Sequence, residues 1–154
     1  TELDKDIKTI DLNIKALTSM IKICLDFFQK DGIILNISSS AAFIPQAKFA
    51  LYAASKSYVL SFSRSLRREL KNIKVSVLCP NKVETEFLEK SNNNSSGIKN
   101  LGRENLEKMV AKTIRQMGKK DLITTNHFAK LVLILSKIFP HSFIMWIEKI
   151  TGMY

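Results

Sequence analysis

Two short, almost uninterrupted apolar runs constrain this chain more than any other feature. IILNI at residues 33–37 and VSVLC at residues 75–79 suit strands covered on both faces, as in a parallel sheet. Around them the apolar spacing becomes helical. Residues 4–29 carry Ile7, Ile10, Ile14, Leu17, Ile21, Cys24 and Phe28 at intervals of three and four, and Asp31-Gly32 ends the pattern. A loop containing Pro45 leads into a second long helix over residues 49–70. Helix, strand, helix, strand in that order implies a right-handed parallel crossover, and hence an α/β fold.

Beyond Pro80 the pattern loosens. SNNNSSG at residues 91–97 is polar and low in complexity. Leu106, Met109, Val110, Ile114 and Met117 then mark a third helix that Gly118 stops. LITT at 122–125 reads as a short third strand, 127–137 as a helix, and 142–150, after Pro140, as a last apolar helix holding Trp146. A chain of 154 residues, 45% of them hydrophobic, supports one globular core. No apolar run reaches the ~18 residues of a membrane-spanning helix. Cys24 and Cys79 have no CxxC spacing and read as buried thiols in a reducing compartment, so a cytoplasmic location is expected.

Serines and a tyrosine–lysine pair carry the chemistry. Ser38, Ser39 and Ser40 follow the first strand directly, and thirteen residues past Ser39 come Tyr52 and then Lys56. Positions four apart share one helix face, so an ammonium can approach the phenol. A tyrosine's unperturbed pKa is about 10, too high for efficient acid/base work at neutral pH. A neighbouring cation favours the phenolate, and a serine hydroxyl can donate to a substrate oxygen where charge develops. A YxxxK spacing alone is weak and fits a solvated helix face as well. After a strand, a serine cluster and a loop it is much stronger.

ILNISSSAAF, YAASK and VSVLCPNKVETEF, in this order and preceded by IDLNIKAL, resemble successive motifs of the short-chain dehydrogenase/reductase family. The resemblance is good over residues 4–88 and looser beyond. It implies a partial Rossmann-like, doubly wound parallel sheet, with residues 1–126 as the C-terminal half of that domain and 127–154 as its helical extension. It also implies an NAD- or NADP-dependent carbonyl/alcohol oxidoreductase. In that family's terms Tyr52 would be the general acid/base. Lys56 would favour its ionised form and hydrogen-bond the nicotinamide ribose. Ser39 would orient the carbonyl, and Asn13 would hold a water of a proton relay. Pro80, Asn81, Val83 and Thr85 would border the cofactor. The 91–97 segment falls where the family has a substrate lid, and reads equally as a surface loop.

Two departures stand out. The family has Pro-Gly where this chain has Pro80-Asn81; asparagine tolerates positive φ, which keeps the turn available. The second is the missing TGxxxGxG loop, since Gly32, Gly97, Gly102, Gly118 and Gly152 are the only glycines and none are close enough to form one. The expectation is therefore a C-terminal, catalytic part with an exposed sheet edge, which binds the dinucleotide poorly alone.

Other readings stay open. The chain is a non-catalytic fragment associating through its two long helices, which in the family form a homo-oligomer interface. Alternatively, its net charge of +10 serves an anionic membrane surface or nucleic acid. Aromatic residues are not interleaved with the basic ones, so this charge-based reading ranks last and no nucleic-acid partner is expected. His127 and His141 have no ligand-like company, so no metal is expected. The tail from Phe128 to Met153 is apolar and basic together. Core packing is its simplest account, against covering a hydrophobic substrate or peripheral contact with a membrane.

Overall fold

Every apolar run found in the sequence becomes a regular element in the computed structural model, which describes residues 2–81, 83 and 104–150. The first helix runs unbroken through α1 (Glu2–Ile10), a π-helical stretch (Asp11–Ala16) and α2 (Leu17–Leu25). It ends short of the expected residue 29. There Asp31 takes a left-handed φ of 66°, and Gly32 passes so close under Phe28 that a Cβ would lie 2.4 Å from its ring. Strand β1 (Gly32–Ile37), a 3-10 turn (Ser40–Ala42), α3 (Ala50–Glu69) and β2 (Ile73–Leu78) follow. After the 104–105 segment come α4 (Leu106–Gln116), β3 (Leu122–Ile123), α5 (His127–Ile138) and α6 (His141–Ile150). Residue Thr85 and the 91–97 segment lie outside the described residues.

The sheet is parallel throughout, in the order β1-β2-β3. Its register sets Ile34 beside Val75 and Asn36 beside Val77, so these four share a face, and α2 and α3 cover that face. Ile21, Ile34, Leu66 and Val75 form one core cluster there; Phe43, Val59, Val77 and Cys79 form the next, with Val132 and Leu133 of α5 against it. Each such large apolar side chain, removed from water, stabilises the fold by about 1.5–3 kcal/mol. One polar pair crosses the layer: Asn36 Nδ2 donates to Ser63 Oγ at 2.8 Å, and Ser63 donates to the Val59 carbonyl at 2.6 Å. Both residues are buried, so the pair is satisfied and fixes α3 on the sheet.

The opposite face departs from expectation. The run 33–37 was expected to have cover on both sides, but Ile33 and Ile37 are 43% and 48% exposed. Among the described residues, the turn after α4 crosses this face, where Gly118 N–H donates to Ser76 Oγ at 2.9 Å and Ser76 donates to the Lys120 carbonyl at 2.6 Å. The tail packs only in part: Ala129 is buried and Val132 and Leu133 lie against the core, while Phe143, Trp146 and Ile150 of α6 are exposed. Among the described residues no helix is long and apolar enough to cross a membrane.

Candidate active site

Ligands of parallel α/β sheets bind at the carboxyl ends of the strands, and here the three serines divide the work at that edge. Ser38 is buried. Its N–H donates to the Leu78 carbonyl at 2.8 Å, and its hydroxyl donates to the Lys56 carbonyl at 2.7 Å. Ser38 is thus a structural clamp between the strand ends and α3. Ser40 faces the segment after β2, with its N–H on the Pro80 carbonyl at 2.8 Å and its hydroxyl on Asn81 Oδ1 at 3.2 Å. Ser39, extended at φ −160° and ψ 159°, caps the 3-10 turn by accepting the Ala41 N–H at 3.1 Å. Among the described residues nothing accepts its hydroxyl proton, so that O–H is available to a ligand.

The turn that Ser38 clamps carries Lys56, one helical turn beyond Tyr52. The Lys56 ammonium lies 5.8 Å from the centroid of the Tyr52 ring, within cation–π range. It donates to the Ile37 carbonyl at 3.4 Å, at the end of β1. Burial lowers the Lys56 pKa, and the nearby Cys79 sulfur opposes this in part. Tyr52 is 41% exposed, and no described residue hydrogen-bonds its phenol oxygen.

Asn13 arrives from the π-helical stretch, an irregularity common at functional positions. Its Nδ2 donates to Ser55 Oγ at 3.0 Å, and Ser55 donates to the Tyr52 carbonyl at 2.8 Å. The amide therefore reaches the Tyr52 turn through a fully buried serine. Sequence reasoning passed over Ser55, whose only signal was a small residue between Tyr52 and Lys56.

Asn81 corrects an expectation. It does not occupy the left-handed region, which among described non-glycine residues only Asp31 and Lys48 do. Its side chain accepts from Ser40, and its N–H donates to Glu104 Oε1 at 3.0 Å. Glu104 is buried, pairs as a parallel bridge with Val83, and takes the Thr125 hydroxyl on its other carboxylate oxygen. Ser40, Asn81, Glu104 and Thr125 thus lace together the ends of all three strands. Glu104 gave no signal in the sequence, because no spacing relates it to Asn81 or Thr125.

A cavity of about 400 Å³ lies on the flank of α3 away from Tyr52, between residues 42–47 and α6. Alanines, Phe43, Ile44 and Met145 make it mostly apolar, and Ser57 and His141 reach into it. Among the described residues no group of three or more His, Cys, Asp or Glu could hold a metal ion. For a dinucleotide, the part-dehydrated Lys56 amine and the unclaimed Ser39 and Tyr52 hydroxyls fit the nicotinamide and its ribose. The two described glycines, Gly32 and Gly118, adjoin Phe28 and Ile33 and form no phosphate cradle.

The chain is similar to known oxidoreductases. It is 38% identical over 88 residues to 17-beta-hydroxysteroid dehydrogenase type 3 of Mus musculus, covering 54% of this chain and 29% of that protein. It is 42% identical over 74 residues to the very-long-chain 3-oxoacyl-CoA reductase of Anas platyrhynchos, covering 46% and 24%. The matched stretch thus spans under a third of these relatives' length. A gluconate 5-dehydrogenase from Burkholderia cenocepacia, solved with NADP and tartrate, superimposes with a TM-score of 0.70 at 16% identity, over 83% of this chain and 57% of that one. That likeness is one of fold and confirms the Rossmann-like α/β class. The model of the short chain dehydrogenase family matches residues 2–96, more than half of the sequence, and the chain belongs to that family.

Proposed function

We propose that this chain carries the proton-transfer side of an NAD- or NADP-dependent oxidoreductase acting on a carbonyl or alcohol. One observation carries the reading. Tyr52 and Lys56 share the face of α3 at the strand ends, with the ammonium 5.8 Å from the phenol ring and the phenol oxygen unclaimed by any described residue. The nicotinamide cofactor, when bound, supplies or accepts the hydride at the carbonyl carbon. Tyr52 gives its phenol proton to the carbonyl oxygen, or takes it back in the reverse direction. Lys56 sets its ammonium beside the phenol ring and donates to the ribose. Ser39 offers its O–H to the same carbonyl oxygen, where negative charge develops. Asn13 supports the Tyr52 turn through Ser55, a more direct role than the expected water relay. Pro80, Asn81 and Val83 border the nicotinamide.

The names of the relatives, a hydroxysteroid dehydrogenase and a very-long-chain 3-oxoacyl-CoA reductase, favour a hydrophobic substrate. Self-association through the first helix is supported by Met20 and Ile23 on α2 and by Phe27 just past its end, all exposed. Replacing Tyr52 by Phe tests the assignment. Carbonyl reduction, followed by loss of the reduced nicotinamide signal, is expected to fall by about 10²–10⁴-fold with cofactor affinity unchanged. Undiminished turnover in Tyr52→Phe removes Tyr52 from the role.

A further inference from the structure

Helices at a protein surface ordinarily turn their apolar stripe inward, and α5 and α6 do this only in part. On α5, Val132 and Leu133 pack against the core, while Leu131, Ile134 and Ile138 form a second apolar stripe that faces out. On α6, His141 and Met145 line the cavity beside α3. Phe143, Trp146 and Ile150 stand on the opposite side, with Trp146 56% exposed. Their rings are organised: Phe139 lies tilted against Phe143 at 5.4 Å, and Phe143 stacks on Trp146 at 6.1 Å. An ordered aromatic ladder in water is costly unless something apolar covers it.

The surrounding charge says what covers it. Residues 127–150 contain Lys130, Lys137 and Lys149 against the single acid Glu148, and the three lysines are exposed. At roughly 100° per residue, Lys130 and Lys137 flank the outer stripe of α5, and Lys149 flanks that of α6. Long amines beside an outward apolar stripe keep their charge in water while their stems lie on apolar surface. Exposed aromatics bordered by lysines are the composition of a helix lying in a bilayer interface. A second copy of the same basic face would repel it. We infer that the outer faces of α5 and α6 form a docking surface for an anionic lipid bilayer, on which the helices lie in the plane of the interface. The inference is independent of the catalytic reading.

Trp146 is the only tryptophan, so its fluorescence reports the contact directly. Vesicles of phosphatidylcholine containing phosphatidylserine should bind the chain and shift Trp146 emission to the blue, with quenching by lipids brominated on the acyl chain. The triple variant Lys130→Gln/Lys137→Gln/Lys149→Gln should bind roughly a hundredfold more weakly. Phe143→Ser/Ile150→Ser should lose at least about tenfold. These side chains are exposed, and unchanged circular dichroism would show that the variants remain folded. No shift of Trp146 with anionic vesicles overturns the proposal. So does equal binding by the triple lysine variant, or self-association that shields Trp146 without lipid.

Discussion

Lys56 and Cys79 are close enough at the carboxyl ends of β1 and β2 to influence each other, and burial moves both toward their neutral forms. It lowers the pKa of the Lys56 amine. It pushes the Cys79 thiol up to about 12, against the opposing hydrogen bonds of Ser38 and the Ser39 backbone. The thiol thus stays uncharged beside an amine that the proposed chemistry needs cationic. The consequence for stability has a definite sign. A raised thiol pKa means that the folded state holds the proton more tightly than the unfolded chain. The contribution of Cys79 is therefore complete below its ordinary value of 9.0 and is lost as pH rises toward about 12. Urea unfolding across that window should show stability falling by up to ~1.4 kcal/mol per pH unit. Cys79→Ala should be less stable at neutral pH and show a flatter decline. An equal slope in both proteins would assign the alkaline loss to other groups.

Among the elements, the segment after β2 shows how one substitution is absorbed. The family has glycine where Asn81 stands, and here the asparagine side chain and N–H bind Ser40 and Glu104. Glu104 joins this segment to Thr125, just past β3. Glu104→Leu would remove the acceptor that the Asn81 N–H and the buried Thr125 hydroxyl share, a loss of about 1–3 kcal/mol. Glu104→Gln, which can still accept from one of them, should recover part of it. Amide hydrogen exchange would locate the effect, with the Asn81 N–H losing protection in Glu104→Leu. Unchanged exchange there would mean that Glu104 does not hold the segment.

The same elements show what was legible in the sequence. Period-three-and-four spacing placed α1–α2, α3 and α4, and compact apolar runs placed β1 and β2, because local burial dictates both patterns. Tyr52 and Lys56 were legible as a pair because their four-residue spacing puts them on one helix face, and Asn13 only through the family resemblance. Ser55, Glu104 and Thr125 were not, since their partners lie at distances along the chain that only the fold closes. Exposure of Ile33, Ile37 and Trp146 was equally invisible, because an apolar residue looks the same whether or not another element covers it.

At the scale of the whole molecule, a parallel three-stranded sheet carries the proposed proton-transfer groups at one end, while its α5–α6 flank faces outward as an apolar, basic surface. The described residues fit the nicotinamide end of a dinucleotide but offer no glycine loop for its pyrophosphate. The account therefore predicts that this chain recognises the nicotinamide half by itself, through Lys56, Tyr52 and Ser39. Reduced nicotinamide mononucleotide, titrated to millimolar concentration against the isotope-labelled chain and followed by amide NMR shifts, tests this most directly. Saturating shifts at Ser39, Tyr52, Lys56 and Asn81, abolished by Lys56→Met in a chain that keeps its spectral dispersion, are the predicted result. A folded chain whose Ser39, Tyr52 and Lys56 signals stay unmoved would contradict the assignment of this site to nicotinamide chemistry.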